Sequence, residues 1–169
     1  MYGTVILVSA CLLGHNVTYS GGSNPHELLM KYNARGRFIA ICPETFAKLP
    51  IPRPPMEIQG GTGKKVLQGK ARAMDKEGLD TTEYLLDGAD KVKKIAEAYH
   101  ATVAILKEGS PSCGVHRVHD GNFGDGYLKG QGVAAALLEK CGLKIYSEND
   151  LTIGRLEELI AEDMRQERL

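Results

Sequence analysis

The sequence predicts an α/β fold: a three-layer sandwich with a mainly parallel four-stranded sheet, helices on both faces, and a Pro/Gly-rich insertion at the active-site edge. Two observations predict it. Four short apolar, β-branched runs are continuous rather than alternating, as expected of strands covered on both faces. Segments with helical spacing separate them, and strand–helix repeats of this kind fold with right-handed crossovers onto one parallel sheet.

The first run, Thr4–Ser9, is read as a buried opening strand. Asn24-Pro25 then offers an N-cap followed by proline at the first helical position, with Gly36 as the stop. The second strand is Phe38–Ile41. Residues 43–79 break the rhythm with prolines and glycines, and are read as an insertion covering the site. Within it, Lys65–Gln68 and Lys70–Met74 form a possible hairpin. Gly60-Gly61-Thr62-Gly63-Lys64-Lys65 lacks the spacing of a phosphate loop and reads better as a turn.

Asp80-Thr81-Thr82-Glu83 resembles a capping box. Leu85, Leu86, Ala89, Val92, Ile95, Ala96 and Tyr99 follow it at helical spacing. Thr102–Leu106 is the third strand, Gln131–Lys140 a helix, and Lys144–Tyr146 the fourth strand. A last helix starts at Asp150, with Leu156, Leu159, Ile160 and Met164 on one face.

The 169 residues suit one domain spanning 1–169, and 43% apolar with 25% charged residues is an ordinary globular composition. A formal net charge of zero gives no general attraction to a nucleic acid polymer or an anionic membrane. No run approaches the roughly 20 apolar residues of a membrane helix. The opening MYGTVILVSACLLG has no basic segment before its apolar run. It does not read as a signal peptide, and a cytoplasmic location is expected.

In a reducing compartment, four cysteines point to metal binding or catalysis rather than a disulfide framework. No C-x-x-C pair occurs, so any shared site must be assembled by the fold. Cys11 follows the first strand, Cys42 the second, and Cys113 the third through a short loop. The carboxyl ends of parallel strands share one edge, where ligands bind at the switch point. Three thiols distant in sequence therefore converge. Cys141 precedes the fourth strand, which puts it at the opposite edge and outside the ligand set. Thiolates suit zinc or iron–sulfur chemistry. A closed zinc site wants four ligands. Three thiolates without a fourth point to a cubane cluster with one iron open as a Lewis acid.

VSACLLG from Val8 to Gly14, Cys42-Pro43-Glu44, PRPP from Pro52 to Pro55, and SPSCG from Ser110 to Gly114 occur in that order. Leu106-Lys107 precedes the last of these, and the glycine-rich Asp120–Phe123 and Gly132–Ala135 follow it. With these motifs, from about Val8 to Glu148, the chain resembles the YbbK/TudS-type family, whose characterised members are [4Fe-4S]-dependent thiouracil desulfurases. The resemblance implies non-redox desulfuration of a thiolated small molecule such as 2-thiouracil. Three cysteines would hold a [4Fe-4S] cluster, and sulfide would leave on its open iron. Carried over, the ligands are Cys11, Cys42 and Cys113. Glu44 is the candidate base for an attacking water, and Ser110 the candidate to hold or relay a proton. Ser112 and Arg53 are candidates for substrate binding. Two stretches depart from the family pattern: Thr45-Phe46-Ala47-Lys48 replaces a glycine pair, and Thr18-Tyr19-Ser20-Gly21 replaces Arg-Tyr-Asp-Gly.

Other classes stay open on the residues alone. His116 and His119, close after Cys113, admit a zinc-dependent hydrolase, and the thiols admit a non-enzymatic thiol or metal sensor. The Gly121–Gly132 stretch precedes a helix, so it reads either as an anion site at that helix N-terminus or as a flexible lid.

Overall fold

The computed structural model describes residues 5–34 and 38–166. In chain order the elements are β1 (Ile6–Ser9), a 3-10 turn (Ala10–Leu13), α1 (Glu27–Asn33), β2 (Phe38–Ile41), α2 (Pro43–Phe46), β3 (Met56–Gln59), α3 (Gly63–Leu67) and β4 (Arg72–Asp75). Then come α4 (Thr82–Ala98), β5 (Val103–Leu106), β6 (Arg117–His119), β7 (Tyr127–Lys129), α5 (Val133–Lys140), β8 (Lys144–Ser147), a second 3-10 turn (Glu148–Asp150) and α6 (Ile153–Gln166).

The four expected strands form a parallel sheet in the order β2-β1-β5-β8. Period-two alternation divides its side chains between two layers. Ile6 and Val8 of β1 join Val103 and Ile105 of β5 beneath Leu29 and Tyr32 of α1 and Leu156, Leu159 and Ile160 of α6. Leu7, Ala104 and Leu106 face the other way, against Val92 and Ala96 of α4 and Ala135 and Leu138 of α5. All of β1 is buried, which is why it reads as an unbroken apolar run. Chain direction reverses its lateral progress between β1 and β5, and this switch point opens a crevice at their carboxyl ends.

Several expected boundaries move. Thr4 and Gly36 lie outside the described residues. Helix α1 starts at Glu27 rather than beside Pro25, because Asn24 and His26 donate their N–H groups to Cys11 O and Leu12 O, both at 2.9 Å. That stretch is pinned to the first 3-10 turn. The buried face of α6 continues through Asp163, whereas Met164 is exposed.

The insertion contains a hairpin, but its first strand is Met56–Gln59, paired antiparallel with Arg72–Asp75. Lys65–Gln68 is not a strand. Lys65 and Val66 donate to Thr62 O as a helical turn forms, burying Val66 and leaving Lys64 and Lys65 exposed. The hairpin and α3 then pack Met56, Ile58, Val66 and Ala73 against Leu85 and Ala89 of α4 and Val133 and Ala134 of α5. A second ribbon pairs β6 with β7, so Tyr127–Lys129 of the stretch expected to be a glycine-rich lid or anion loop is strand and the residues before it connect the two strands. Among the described residues, no helix is long and apolar enough to cross a membrane.

Candidate functional site

Cys11 lies in the 3-10 turn directly after β1 and is buried. Cys42 follows β2 as the N-cap of α2, with its carbonyl accepting the Phe46 N–H at 3.0 Å. Proline at the first helical position suits this tight turn. Gly88 of α4 seats it: a Cβ there would collide with the Pro43 carbonyl, so only glycine lets α4 press against the Cys42-Pro43-Glu44 turn.

Cys113 is carried by the loop after β5. Ser110 Oγ accepts the N–H groups of Ser112 and Cys113, both at 3.1 Å, and Ser110 O accepts Gly114 N–H at 2.9 Å. The loop then docks on α5. Val133 N–H donates to Pro111 O at 2.8 Å, while Ala134 and Ala135 donate to Ser112 O at 2.9 and 3.2 Å. The first-turn donors of α5 are therefore satisfied internally, which overturns the anion-site reading of this helix start. Gly132 permits the docking, since a Cβ would strike the backbone of Pro111 and Ser112.

Cys11, Cys42 and Cys113 all line one cavity of about 720 Å³, together with Glu44, Arg53, Ser110 and Ser112. All are free thiols. Cys141, also free, is exposed at the far end of α5. Burial pushes the Cys113 thiol well above its usual range, helped by the nearby Cys42 and Cys11 and opposed by a hydrogen bond from Ser9. Burial also raises Cys11, against a hydrogen bond from Asn24 and the Lys107 ammonium. Thiols packed this way favour the neutral form until a cationic centre replaces their protons.

The donor set fits a soft, thiophilic group. Among the described residues, no three His, Cys, Asp or Glu side chains gather closely enough to hold a single metal ion. The cysteines line a roomy cavity instead, which suits a multi-iron cluster better than one zinc. His116 is engaged elsewhere, with its Nε2 2.7 Å from Asp150 Oδ2 and its side chain 60% exposed. His119 lines the cavity but stacks on Tyr127, with ring centroids 4.6 Å apart.

Glu44 is held at both oxygens. Arg53 Nε donates to Oε1 at 3.1 Å and Ser112 Oγ to Oε2 at 2.9 Å. Ser112 Oγ in turn lies 3.0 Å from Ser110 Oγ. Arg53 is buried, and its remaining donors reach Pro50 O at 3.2 Å and Val17 O at 2.8 Å. Its guanidinium thus anchors Glu44 and two loops.

Two acids at the site carry no distinguishing motif in the sequence. Glu108 Oε1 accepts the N–H groups of Val115 and His116 at 2.8 Å and of Arg117 at 3.1 Å, organising the chain beyond Cys113. Burial raises its carboxyl, but these backbone donors outweigh it and the net shift is downward. Glu148, raised by burial, accepts the Glu108 N–H through both oxygens at 2.9 and 3.1 Å. Each follows the end of a strand of the parallel sheet, β5 for Glu108 and the edge strand β8 for Glu148, the same signal that marked the cysteines.

A sequence model of the 2-thiouracil desulfurase family matches residues 6–150. The chain is 40% identical over 147 residues to the uncharacterized protein YbbK of Bacillus subtilis (strain 168), covering 87% of this chain and 97% of that one. Among solved structures, the [4Fe-4S]-dependent thiouracil desulfidase TudS superposes with a TM-score of 0.80 at 36% identity. That match covers 94% of this chain and 98% of the other.

Proposed function

The chain belongs to the 2-thiouracil desulfurase family, and from that premise we propose that it hydrolyses the C=S bond of a thiolated small molecule such as 2-thiouracil, using a [4Fe-4S] cluster held by Cys11, Cys42 and Cys113. When bound, the cluster would supply a Lewis-acidic iron without a protein ligand, suited to a soft sulfur donor. The observation that carries the reading is the convergence of three free thiols and the Glu44–Ser112 pair on one cavity.

The reaction exchanges sulfur for oxygen: the C=S carbon takes its oxygen from water, sulfur departs as sulfide, and no net electrons move. Glu44 acts as general base, taking a proton from the attacking water onto a carboxylate oxygen. Arg53 and Ser112 support this role by stabilising the ionised carboxylate and fixing its direction. The Ser112–Ser110 hydroxyl pair offers a short path for returning a proton to the ring nitrogen beside the reacting carbon. The buried Arg53 acts on the substrate through Glu44.

The test is anaerobic reconstitution with iron and sulfide followed by incubation with 2-thiouracil. Uracil and sulfide are expected in equal amounts, without a reductant. A cluster-loaded protein that releases neither overturns the proposal.

A further inference from the structure

Phe123 stands in the turn between β6 and β7 and lines the same cavity as the three cysteines. Its backbone is left-handed, with φ 56°. A bulky side chain rarely occupies that region, because its Cβ crowds the following carbonyl, and it persists only where the surroundings hold it. The hold comes from the insertion. Glu57 of β3, a buried carboxylate, accepts the Gly121 N–H at 2.9 Å and the Phe123 N–H at 3.3 Å through the same Oε1. Gln59 Nε2 adds a bond to Gly121 O at 3.2 Å. A carboxylate buried against two backbone donors is a costly fixture for an ordinary surface turn. The neighbouring Tyr127 is already engaged, with the Arg117 guanidinium carbon 4.2 Å from its ring centroid and His119 stacked on it.

We propose that Phe123 is a specificity-determining residue that lays its ring against the face of a planar heteroaromatic substrate, and that Glu57 is the positioning residue that holds it there. The proposal rests on the desulfuration reading for its choice of ring, but it concerns recognition rather than chemistry. It also gives the β3–β4 insertion a purpose, since Glu57 ties the insertion to the wall that selects flat rings. A flat ring offers its whole face to dispersion and quadrupole contact, which a puckered ring does only in part.

The test compares binding of uracil and of non-planar 5,6-dihydrouracil by calorimetry to the cluster-loaded protein. Alanine substitution of a stacking aromatic weakens binding of a base by about tenfold or more. The wild type is expected to prefer uracil by about that factor, from the same stacking contribution. Phe123→Ala should bring the preference close to one with cluster absorbance unchanged, and Phe123→Tyr should keep it. Glu57→Gln should reduce the preference while retaining the aromatic ring. An unchanged preference in Phe123→Ala, or no preference in the wild type, overturns the proposal. Because binding is read without turnover, a protein that discriminates the two rings yet releases no sulfide from 2-thiouracil would sink the desulfuration reading and leave ring selection standing.

Discussion

The Ser112 hydroxyl donates to Glu44 Oε2 at 2.9 Å, joining the loop after β5 to the short helix after β2. These segments touch only because their strands flank β1 in the sheet. If Glu44 is the base, Glu44→Gln should keep the cluster and lower kcat by about 10²- to 10⁴-fold. Ser112→Ala removes one charge-assisted hydrogen bond, worth about 2 kcal/mol, and should cost kcat a smaller factor. Stopped-flow and steady-state assays of the loaded proteins decide it; full turnover in Glu44→Gln removes Glu44 from the mechanism.

The three cavity cysteines should act as a set. Cys11→Ala, Cys42→Ala and Cys113→Ala are each expected to lose cluster absorbance and iron after anaerobic reconstitution. Cys141→Ala should match the wild type, since this thiol is exposed at the other end of α5. Full iron loading in any of the first three would remove that residue from the ligand set.

Arg53 and Glu44 form an ion pair whose side chains are only 4% and 13% exposed. Removing one partner of such a pair strands a buried charge, so Arg53→Ala should cost about 3 kcal/mol of stability. Urea denaturation of the cluster-free protein measures it. Arg53→Lys should recover only part, because one ammonium cannot replace the three directions used toward Glu44, Pro50 and Val17.

Gly88→Ala and Gly132→Ala should each destabilise the fold by about 1–3 kcal/mol through overpacking. The two substitutions press on different ligands: Gly88 supports the Cys42 turn and Gly132 the Cys113 loop. Both should therefore lower iron stoichiometry in protein that still folds. Iron content unchanged in the folded fraction would contradict this.

The Asp150 carboxylate beside His116 holds its imidazolium above the usual histidine range. Because the folded value exceeds the unfolded one, the pair stabilises fully below about pH 6.5 for as long as Asp150, itself held below the usual carboxylate range, stays ionised, and that contribution fades as pH rises through the raised value. His116 is 60% exposed, so solvent screening keeps the gain below about 1 kcal/mol. NMR titration should show the His116 pKa falling in Asp150→Asn. No change would mean the pair does not form in solution.

The central sheet was legible because β1 and β5 are buried on both faces and advertise themselves as unbroken apolar runs. The insertion was not. Met56–Gln59 hides its strand character behind Glu57, a charge that is buried because it serves the Gly121–Phe123 turn. Val66 and Leu67 look like strand residues locally, yet packing against α5 draws them into a helical turn. At three residues each, β6, which buries only Val118, and the fully exposed β7 are too short to leave a periodic trace. At the site, strand ends located the three cysteines. Glu108 and Glu148 occupy equivalent places, but acidic residues are too common at loop starts to stand out. Their roles come from backbone N–H groups that no sequence pattern displays.

The amides of Val133, Ala134 and Ala135 are bonded to carbonyls of the segment that delivers Cys113. When that segment lifts away, those protons meet solvent. Deuterium uptake at three adjacent alanine and valine positions thus serves as a built-in gauge of how firmly the sulfur-bearing loop is seated, slowing as the loop is tied down and readable with no substrate in the tube.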